Sequence, residues 1–246
     1  MIKTAQEIER IRASCALLAR IFAETIPLVR PGIETIELDR FVEERIRKAG
    51  ATPVFKGYLG YQHSICTSIN EVVVHGIPSD MKLCDGDIIG IDVGLRLQGM
   101  VSDMAMTLAV GTIDDESSRL IRVTKESLDS AIAVVRPGAR VGDIGATVQK
   151  HVEAAGFGIV RQFVGHGVGR ELHEEPQIPN FGKAGTGTEL FAGMVLAIEP
   201  MVTVGNPSVH ILDDGWTAVT DDNKRAAHFE HTILVTETGA EVLTVV

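Results

Sequence analysis

The chain has 246 residues, of which 45% are hydrophobic and 23% are charged. This composition is typical of a globular protein, and the length suffices for one large domain or two smaller ones. The 23 basic and 33 acidic residues leave a net charge of -10, which argues against direct nucleic-acid readout because no cluster of Lys and Arg is available to neutralise phosphates.

The compartment can also be predicted from composition. The first ten residues carry both charge signs and are followed by no apolar stretch of the kind that marks a signal peptide. Apolar runs are far shorter than a membrane span. The three cysteines, Cys15, Cys66 and Cys84, lack CxxC spacing and fit a reducing environment. We therefore expect a cytoplasmic protein that does not enter a membrane.

The first half of the chain predicts two helices followed by strands. Thr4 and Glu7 have the spacing of a capping box, and apolar residues at helical spacing follow them. A second helix is predicted between the pair Pro31-Gly32 and Gly50, which are usual helix start and stop signals. Strands are predicted at residues 71–74, 87–93 and 99–110.

The second half repeats this plan. Arg136-Pro137-Gly138 follows Arg30-Pro31-Gly32 at an offset of 106 residues, and Ala155-Gly156 follows Ala49-Gly50 at the same offset. Two more helices are predicted around these markers, and strands are predicted at residues 194–199, 201–204, 216–220 and 228–236. The repeat predicts an α+β fold of two halves related by pseudo-twofold symmetry.

Four acidic residues interrupt apolar, strand-like segments in matched contexts. Asp92 and Glu199 each end a Gly-x-x-x-x-Ile-acid phrase, while Asp103 and Glu230 lie in the strands that follow. An isolated buried carboxylate is costly, so four that converge need about four positive charges, which two divalent cations supply. The alternative is that each acid is a sheet-edge charge that faces water.

His166 is a candidate fifth ligand. Gly165 and Gly167 flank it and allow tight turns and close backbone approach. A histidine in this context can also be an ordinary turn residue. One nitrogen with four carboxylates suits Mn(II), Fe(II), Co(II) or Mg(II) better than a thiolate-rich zinc site does, and no HExxH motif is present.

Six motifs in order carry a family resemblance. They are Asn70-Glu-Val-Val-Val-His75-Gly-Ile-Pro78, Ile91-Asp92-Val93-Gly94, Asp103 eleven positions after Asp92, Gly165-His166-Gly-Val-Gly-Arg-Glu-Leu-His173-Glu-Glu-Pro176, Ile198-Glu199-Pro200-Met201 and Phe229-Glu230-His231-Thr232. Together they resemble type I methionine aminopeptidases of the short bacterial form, which are pita-bread metallopeptidases. The resemblance covers essentially the whole chain. Only 32 residues separate His166 from Glu199, which leaves no room for the subdomain that type II relatives insert there.

The resemblance implies a pita-bread fold, with an antiparallel sheet inside and helices outside. We expect a single catalytic domain over residues 1–246, with an internal pseudo-repeat of roughly 1–111 and 112–246. It also implies two divalent metal ions, Mn, Fe or Co, with Zn and Mg also compatible. The implied ligands are Asp92, Asp103, His166, Glu199 and Glu230, of which Asp103 and Glu230 bridge the ions.

The implied reaction is removal of the N-terminal methionine from nascent proteins and peptides by water that the two metals activate. Glu199 is the expected general base. His75 and His173 are expected to contact the scissile peptide and to stabilise the tetrahedral species, although on residue type alone both could be structural histidines.

The implied substrate pocket combines aromatic rings with a thiol, a surface that receives a thioether well. Its predicted lining, with His75 and His173, is Phe55, Tyr58, Tyr61, Cys66 and Trp216. The alternative is that these aromatics fill a core. Two positions depart from the family pattern: Phe55 stands where many bacterial relatives have cysteine, and Leu172 stands where some have phenylalanine.

Alternatives remain within the fold and outside it. A proline-directed aminopeptidase or dipeptidase shares the fold but usually has a large extra N-terminal domain, and a metal-free binding module usually lacks some of the ligands. The expected partners are N-terminal Met peptides and nascent chains, with ribosome association left open, and the expected state is a monomer. The remaining histidines are predicted to be structural: His63, His151, His210, His228 and His231.

Overall fold

The computed structural model describes residues 1–245, and this part of the chain contains four α-helices: α1 (Ala5–Thr25), α2 (Thr35–Lys48), α3 (Asp115–Ala133) and α4 (Val141–Ala154). Two short 3-10 turns lie at Ile26–Leu28 and Tyr58–Gly60. None of the helices in residues 1–245 combines the length and the apolar character that a bilayer crossing requires.

The helix starts follow from their capping residues. The Thr4 hydroxyl accepts from the Glu7 N–H, and the Glu7 carboxylate accepts from the Thr4 N–H, so the predicted capping box is confirmed. At α3, Asp114 accepts from the N–H of Ser117. Both caps satisfy backbone donors that the first helical turn leaves unpaired.

Fifteen strands are described within residues 1–245. They are β1 (Thr52–Pro53), β2 (Ile65–Ile69), β3 (Val72–Val74), β4 (Ile88–Leu97), β5 (Met100–Ala109), β6 (Gly158–Ile159), β7 (Gly165–Gly167), β8 (Glu174–Ile178), β9 (Val195–Ile198), β10 (Met201–Thr203), β11 (Val209–Ile211), β12 (Ala218–Thr220), β13 (Ala226–His228), β14 (Glu230–Val235) and β15 (Ala240–Val242).

One large antiparallel sheet crosses both halves of the chain. Its order among the described residues is β1-β4-β5-β14-β9-β7-β8, with β2 also paired to β4 and β15 also paired to β14. The halves meet where β5 pairs with β14, in the register Glu230 with Ala105. Two smaller sheets, β13-β10-β6 and β11-β12-β3, lie beside it.

The helices cover one face of the large sheet. α1 and α2 pack on Ile89, Ile91 and Val93 of β4, while α3 and α4 pack on Leu196 of β9 and Ile233 of β14. Because side chains alternate along a strand, the residues between these apolar positions face away from the helices. The predicted α+β fold, with an antiparallel sheet inside and helices outside, is confirmed.

The structure differs from the strand predictions in two ways. The strand expected at residues 228–236 is divided, since β13 pairs with β10 while β14 pairs with β5 and β9. The chain changes sheets at Phe229, whose N–H donates to Pro200 O at 3.3 Å. Seven of the described strands were not predicted: β1, β2, β6, β7, β8, β11 and β15. In β8, Pro176 and its polar neighbours give no alternating pattern, and the strand lies at the end of the sheet order, where proline is tolerated.

Helix α4 approaches the segment after β8 very closely. A Cβ on Gly145 would lie less than 3.0 Å from the carbonyl oxygens of Pro179 and Phe181. Between these two residues lies Asn180, which is fully buried and donates from Nδ2 to the carbonyl of Glu199 at 2.9 Å. The absence of a side chain at Gly145 therefore lets the helix support the backbone that carries Glu199.

We expect Gly145→Ala to lower the free energy of unfolding by about 1–3 kcal/mol, because the added methyl group overlaps two backbone carbonyls. Helix propensity alone predicts the opposite sign, a gain of roughly 1 kcal/mol. Urea titration measures the difference. Ala146→Gly on the same helix is the control and should cost about 0.5–1 kcal/mol. A Gly145→Ala protein more stable than the parent would contradict the close approach.

Candidate metal centre and active-site cavity

The strand register places three of the four predicted acids on one face of the sheet. Cys66 of β2 lies opposite Asp92 of β4, which lies opposite Ala105 of β5, which lies opposite Glu230 of β14. Residues that face each other across antiparallel strands share a face. Asp103 lies two residues from Ala105 and shares that face as well. This is the face turned away from the helices.

A second set of facing strand residues accounts for the two remaining predicted ligands, His166 and Glu199. Thr232 of β14 lies opposite Ala197 of β9, which lies opposite His166 of β7. Glu199 follows Ala197 by two positions, at the point where β9 ends and the chain turns at Pro200. The first half of the chain thus supplies Asp92 and Asp103, and the second half supplies His166, Glu199 and Glu230.

The alternative that His166 is an ordinary turn residue does not hold, because it lies within strand β7. Its flanking glycines serve close packing instead. A Cβ on Gly165 would lie less than 3.0 Å from Ala197 O, and one on Gly167 would lie less than 3.0 Å from Glu175 O. The backbones of β9 and β8 therefore pack closely against β7 from both sides, which fixes the position of the His166 imidazole.

The orientation of the His166 ring determines which nitrogen is free. Nδ1 lies 2.9 Å from the carbonyl of Gly167, and since a carbonyl only accepts, Nδ1 carries the ring proton. Burial lowers the pKa of His166 to about 4, so the ring is neutral and Nε2 holds a lone pair. The Nε2 atom lies 3.5 Å from Glu199 Oε1 and 3.9 Å from Asp103 Oδ2.

Burial dominates the electrostatics of the acids. It raises the pKa of Asp92 to about 7 and the pKa of Glu199 to about 8. Burial, reinforced by the neighbouring acids, holds the pKa values of Asp103 and Glu230 well above the usual range. A carboxylate away from water favours its neutral form unless a cation compensates it.

These residues fit divalent cations. Asp103, His166 and Glu230 offer ligand atoms that all lie within 4.8 Å of one another. Within residues 1–245, the buried oxygens Asp92 Oδ1, Asp103 Oδ1 and Glu230 Oε1 have no hydrogen-bond partner, although buried polar atoms in folded proteins are almost always paired. A lone pair aimed at carboxylates is repulsive unless a cation lies between them. The donor set, rich in oxygen with one imidazole, suits Mn(II), Fe(II) or Co(II).

The acids lie in the wall of a cavity with a volume of about 300 Å³, a size that suits one amino-acid side chain and the peptide bond beside it. Every residue predicted as catalytic, metal-binding or substrate-binding lines it. They are Phe55, Tyr58, Tyr61, Cys66, His75, Asp92, Asp103, His166, His173, Glu199, Trp216 and Glu230.

Aromatic rings and two histidines form the rest of the wall. Tyr61 packs edge-on against Trp216 with ring centroids 5.0 Å apart, and its hydroxyl donates to Ile65 O at 3.0 Å. His75 packs edge-on against Phe163 at 5.3 Å. Its φ of 61° lies in the left-handed region, which is strained for a non-glycine residue, so the surrounding fold holds this ring in place.

The loop that carries His173 is anchored by the N-terminal segment. The buried ammonium of Lys3 donates to Glu174 Oε2 at 2.7 Å. The other oxygen of Glu174 accepts from the N–H groups of Arg170 and Glu171. The His173 ring itself lies 2.8 Å from the Tyr58 hydroxyl through Nδ1. Residues before α1 thus support a cavity residue that is distant in sequence.

Five further residues belong to the site and were not predicted. Leu59, Phe163, Val164 and Met201 line the cavity, and the buried His228 lies beside Glu199. His228 was predicted to be structural, and the structure places its Nε2 3.3 Å from Glu199 Oε2. Its position two residues before Glu230 was a usable signal, because strand alternation places such residues on one face. The other four have no sequence signal beyond their apolar type.

The free energy of unfolding should depend on pH in a way that reveals the clustered acids. The pKa values of these acids in the folded protein lie above the unfolded values of about 4. The free energy of unfolding that the acids contribute is therefore complete below pH 4. It is lost as pH rises through about 7 for Asp92 and about 8 for Glu199. We expect chelator-stripped Glu199→Gln to lose less stability than the stripped parent between pH 5 and 8. A difference of roughly 1 kcal/mol shifts the melting temperature by about 2–4 °C in a chain of this size.

The melting temperatures of both proteins at pH 5 and pH 8 provide the measurement. Saturating the parent with Mn(II) is the control, and it should raise the melting temperature more at pH 8 than at pH 5, because the cation favours the ionised acids. Equal pH dependence in the stripped parent and the stripped variant would contradict the clustering.

Comparisons with known proteins agree with this geometry. The model of metallopeptidase family M24 matches residues 9–237. A protein named methionine aminopeptidase from Clostridium perfringens is 49% identical over 250 residues, which span 100% of this chain and 99% of that protein. The crystal structure of methionine aminopeptidase from Thermotoga maritima superposes with a TM-score of 0.98 at 48% identity, covering 100% of this chain and 99% of that one.

A more distant solved structure shares the fold. Prolidase from Pyrococcus furiosus has a TM-score of 0.82 at 26% identity, and the match covers 100% of this chain and 65% of that chain. The predicted pita-bread fold and the predicted family are both confirmed. On its sequence, its fold and the residues around its cavity, the chain belongs to metallopeptidase family M24, in its methionine aminopeptidase group.

Proposed function

We propose that this chain is a methionyl aminopeptidase, which removes the N-terminal methionine from peptides and nascent proteins with two divalent metal ions. The observation that carries the proposal is that all five expected metal ligands line one cavity together with aromatic rings and a thiol, and that three of them offer ligand atoms within 4.8 Å of one another. The identity of nearly half of the residues with named methionine aminopeptidases supports the same activity.

In this proposal Asp92, Asp103, His166, Glu199 and Glu230 would hold the ions. Bound there, the ions would make a water acidic enough to attack a carbonyl at neutral pH. Glu199 would accept the proton of that water, a role supported by its place in the cavity wall with the other acids. Mn(II), Fe(II) and Co(II) are the proposed metals, with Zn(II) and Mg(II) as further candidates.

His75 and His173 serve as neutral hydrogen-bond donors to the scissile peptide. Burial lowers the pKa of His75 to about 4, and partial burial lowers the pKa of His173. A Tyr58 hydroxyl that donates to His173 Nδ1 leaves the ring proton on Nε2, because a neutral imidazole carries one proton. An N–H directed at the carbonyl oxygen stabilises the negative charge that develops there.

The pocket for the first side chain lies between Cys66, Tyr61 and Trp216, with Phe55 and Tyr58 nearby. Burial raises the pKa of the Cys66 thiol well above its usual value, so a neutral, polarisable sulfur faces the cavity. A thioether gains about 0.3–1.5 kcal/mol from each contact with an aromatic ring. The pocket therefore favours methionine over a charged side chain.

Further parts of the proposal concern the whole chain. We propose that residues 1–246 act as one catalytic domain, supported by a sheet that runs through both halves and by ligands from both. We also propose that the protein is a monomer, that it is located in the cytoplasm, and that it binds nascent chains there. The net charge of -10 favours peptide substrates over nucleic acid.

Purified protein reconstituted with Mn(II), Fe(II) or Co(II) should release methionine from Met-Ala-Ser peptides, and excess chelator should abolish the release. Liquid chromatography of the products measures both, and Zn(II) and Mg(II) complete the metal panel. X-Pro dipeptides are the control substrates, because the fold is shared with prolidase. Cleavage of X-Pro peptides with no release of methionine under any metal would replace the proposal with proline-directed activity.

Two substitutions separate the proposed roles. Glu199→Gln should lower kcat by about 10²–10⁴-fold, the usual loss when a general base is removed. Asp92→Ala should weaken metal binding in calorimetry, because the site loses a carboxylate ligand. Glu189→Gln, which alters an exposed ion pair with Arg140, is the control and should leave both quantities unchanged. Full turnover by Glu199→Gln would remove Glu199 from its proposed role.

A further inference from the structure

His228 is a buried histidine that contacts the carboxylate of Glu199. The residue is 3% exposed, and Nε2 lies 3.3 Å from Glu199 Oε2. The contact is close without being aligned as a hydrogen bond, and within residues 1–245 Nε2 has no other partner. Because a buried N–H is costly when unpaired, the Glu199 carboxylate is the group that can satisfy this nitrogen.

The backbone around this contact is fixed at both ends. The Thr107 hydroxyl donates to the carbonyl of His228 at 2.9 Å and accepts from its N–H at 2.9 Å. The carbonyl of Glu199 accepts from Asn180 at 2.9 Å. The remaining freedom lies in the torsions of the Glu199 side chain, and His228 stands where it can set them.

The two oxygens of Glu199 face different histidines. Oε1 lies 3.5 Å from His166 Nε2, whose ring proton is already given to Gly167, so His166 cannot donate to it. Oε2 faces His228. Among the described residues these are the two ring nitrogens within 4.0 Å of the carboxylate, and of the two only His228 Nε2 is free to donate to it.

We propose that His228 is a positioning residue, which holds Glu199 by Oε2 so that Oε1 faces the metal ligands and the reacting water. This assignment rests on the proposed function for its effect on turnover, but its effect on metal affinity does not depend on the substrate.

The test compares His228→Leu, which removes the donor, with His228→Gln, which keeps an N–H group. Calorimetry with Mn(II) on chelator-stripped protein is the first readout. Loss of a residue that orients a metal ligand weakens affinity by about 10–100-fold, and we expect that loss in His228→Leu and recovery of most of it in His228→Gln. The visible absorption of bound Co(II) should change in His228→Leu and return towards the parent spectrum in His228→Gln.

Turnover of a Met-Ala-Ser peptide at saturating metal is the second readout. kcat should fall in His228→Leu while KM stays within about twofold, because the residue acts on Glu199 and does not contact the peptide. His231→Leu is the matched control, since His231 is a neighbouring histidine whose Nδ1 pairs with Thr244. It should keep the parent affinity for Mn(II).

Either of two results would overturn the proposal: parent-like Mn(II) affinity in His228→Leu, or equal impairment of His228→Gln and His228→Leu. If His228→Leu does not fold, His228→Met, which is closer in length, takes its place with the same expectations. A parent protein that binds Mn(II) but releases no methionine would overturn the proposed function alone, and the affinity comparison would still decide the role of His228.

Discussion

Repulsion among four carboxylates on the inner face of one sheet is the constraint on which the rest of this structure depends. Asp92, Asp103, Glu199 and Glu230 lie away from water, where each ionised group raises the cost of ionising the others. Within residues 1–245, three of their buried oxygens have no hydrogen-bond partner, although buried polar atoms in folded proteins are almost always paired. Divalent cations resolve both problems, and membership of a metallopeptidase family agrees with that solution.

The fold supplies the rigidity that this arrangement requires. Helices on the outer face bury the alternate residues of the same strands, so the acids cannot turn towards solvent without exposing a core. The joint between the halves is held by Thr232, whose hydroxyl accepts from the N–H of Asp103 and donates to its carbonyl. Thr107 of β5 binds His228 of β13 in the same manner, between the large sheet and a smaller one. Each threonine thereby fixes the backbone of a residue beside the cavity.

Histidines around the cavity are neutral, and their hydrogen bonds give them different chemistry. His166 uses its proton on Gly167 and presents a lone pair, which suits a ligand. His228 Nε2 has no aligned hydrogen-bond partner within residues 1–245 and lies 3.3 Å from Glu199 Oε2, which suits a residue that orients a carboxylate. The ring of His173 pairs with Tyr58, and His75 is held in a strained backbone conformation. Burial makes this division workable, because it keeps every ring uncharged near pH 7.

Sequence by itself determined the four helices, seven of the strands and the identity of the acids, because periodicity and capping are local properties that twenty residues can express. The paired contexts of Asp92 and Glu199 also indicated a site shared by two halves. Tertiary structure decided what depends on distant contacts. It divided the strand at Phe229, placed Pro176 in an edge strand, brought Phe163 and Met201 to the cavity, and brought His228 to Glu199. These outcomes follow from which strands pair and how closely backbones approach, and residues far apart in the chain set those distances.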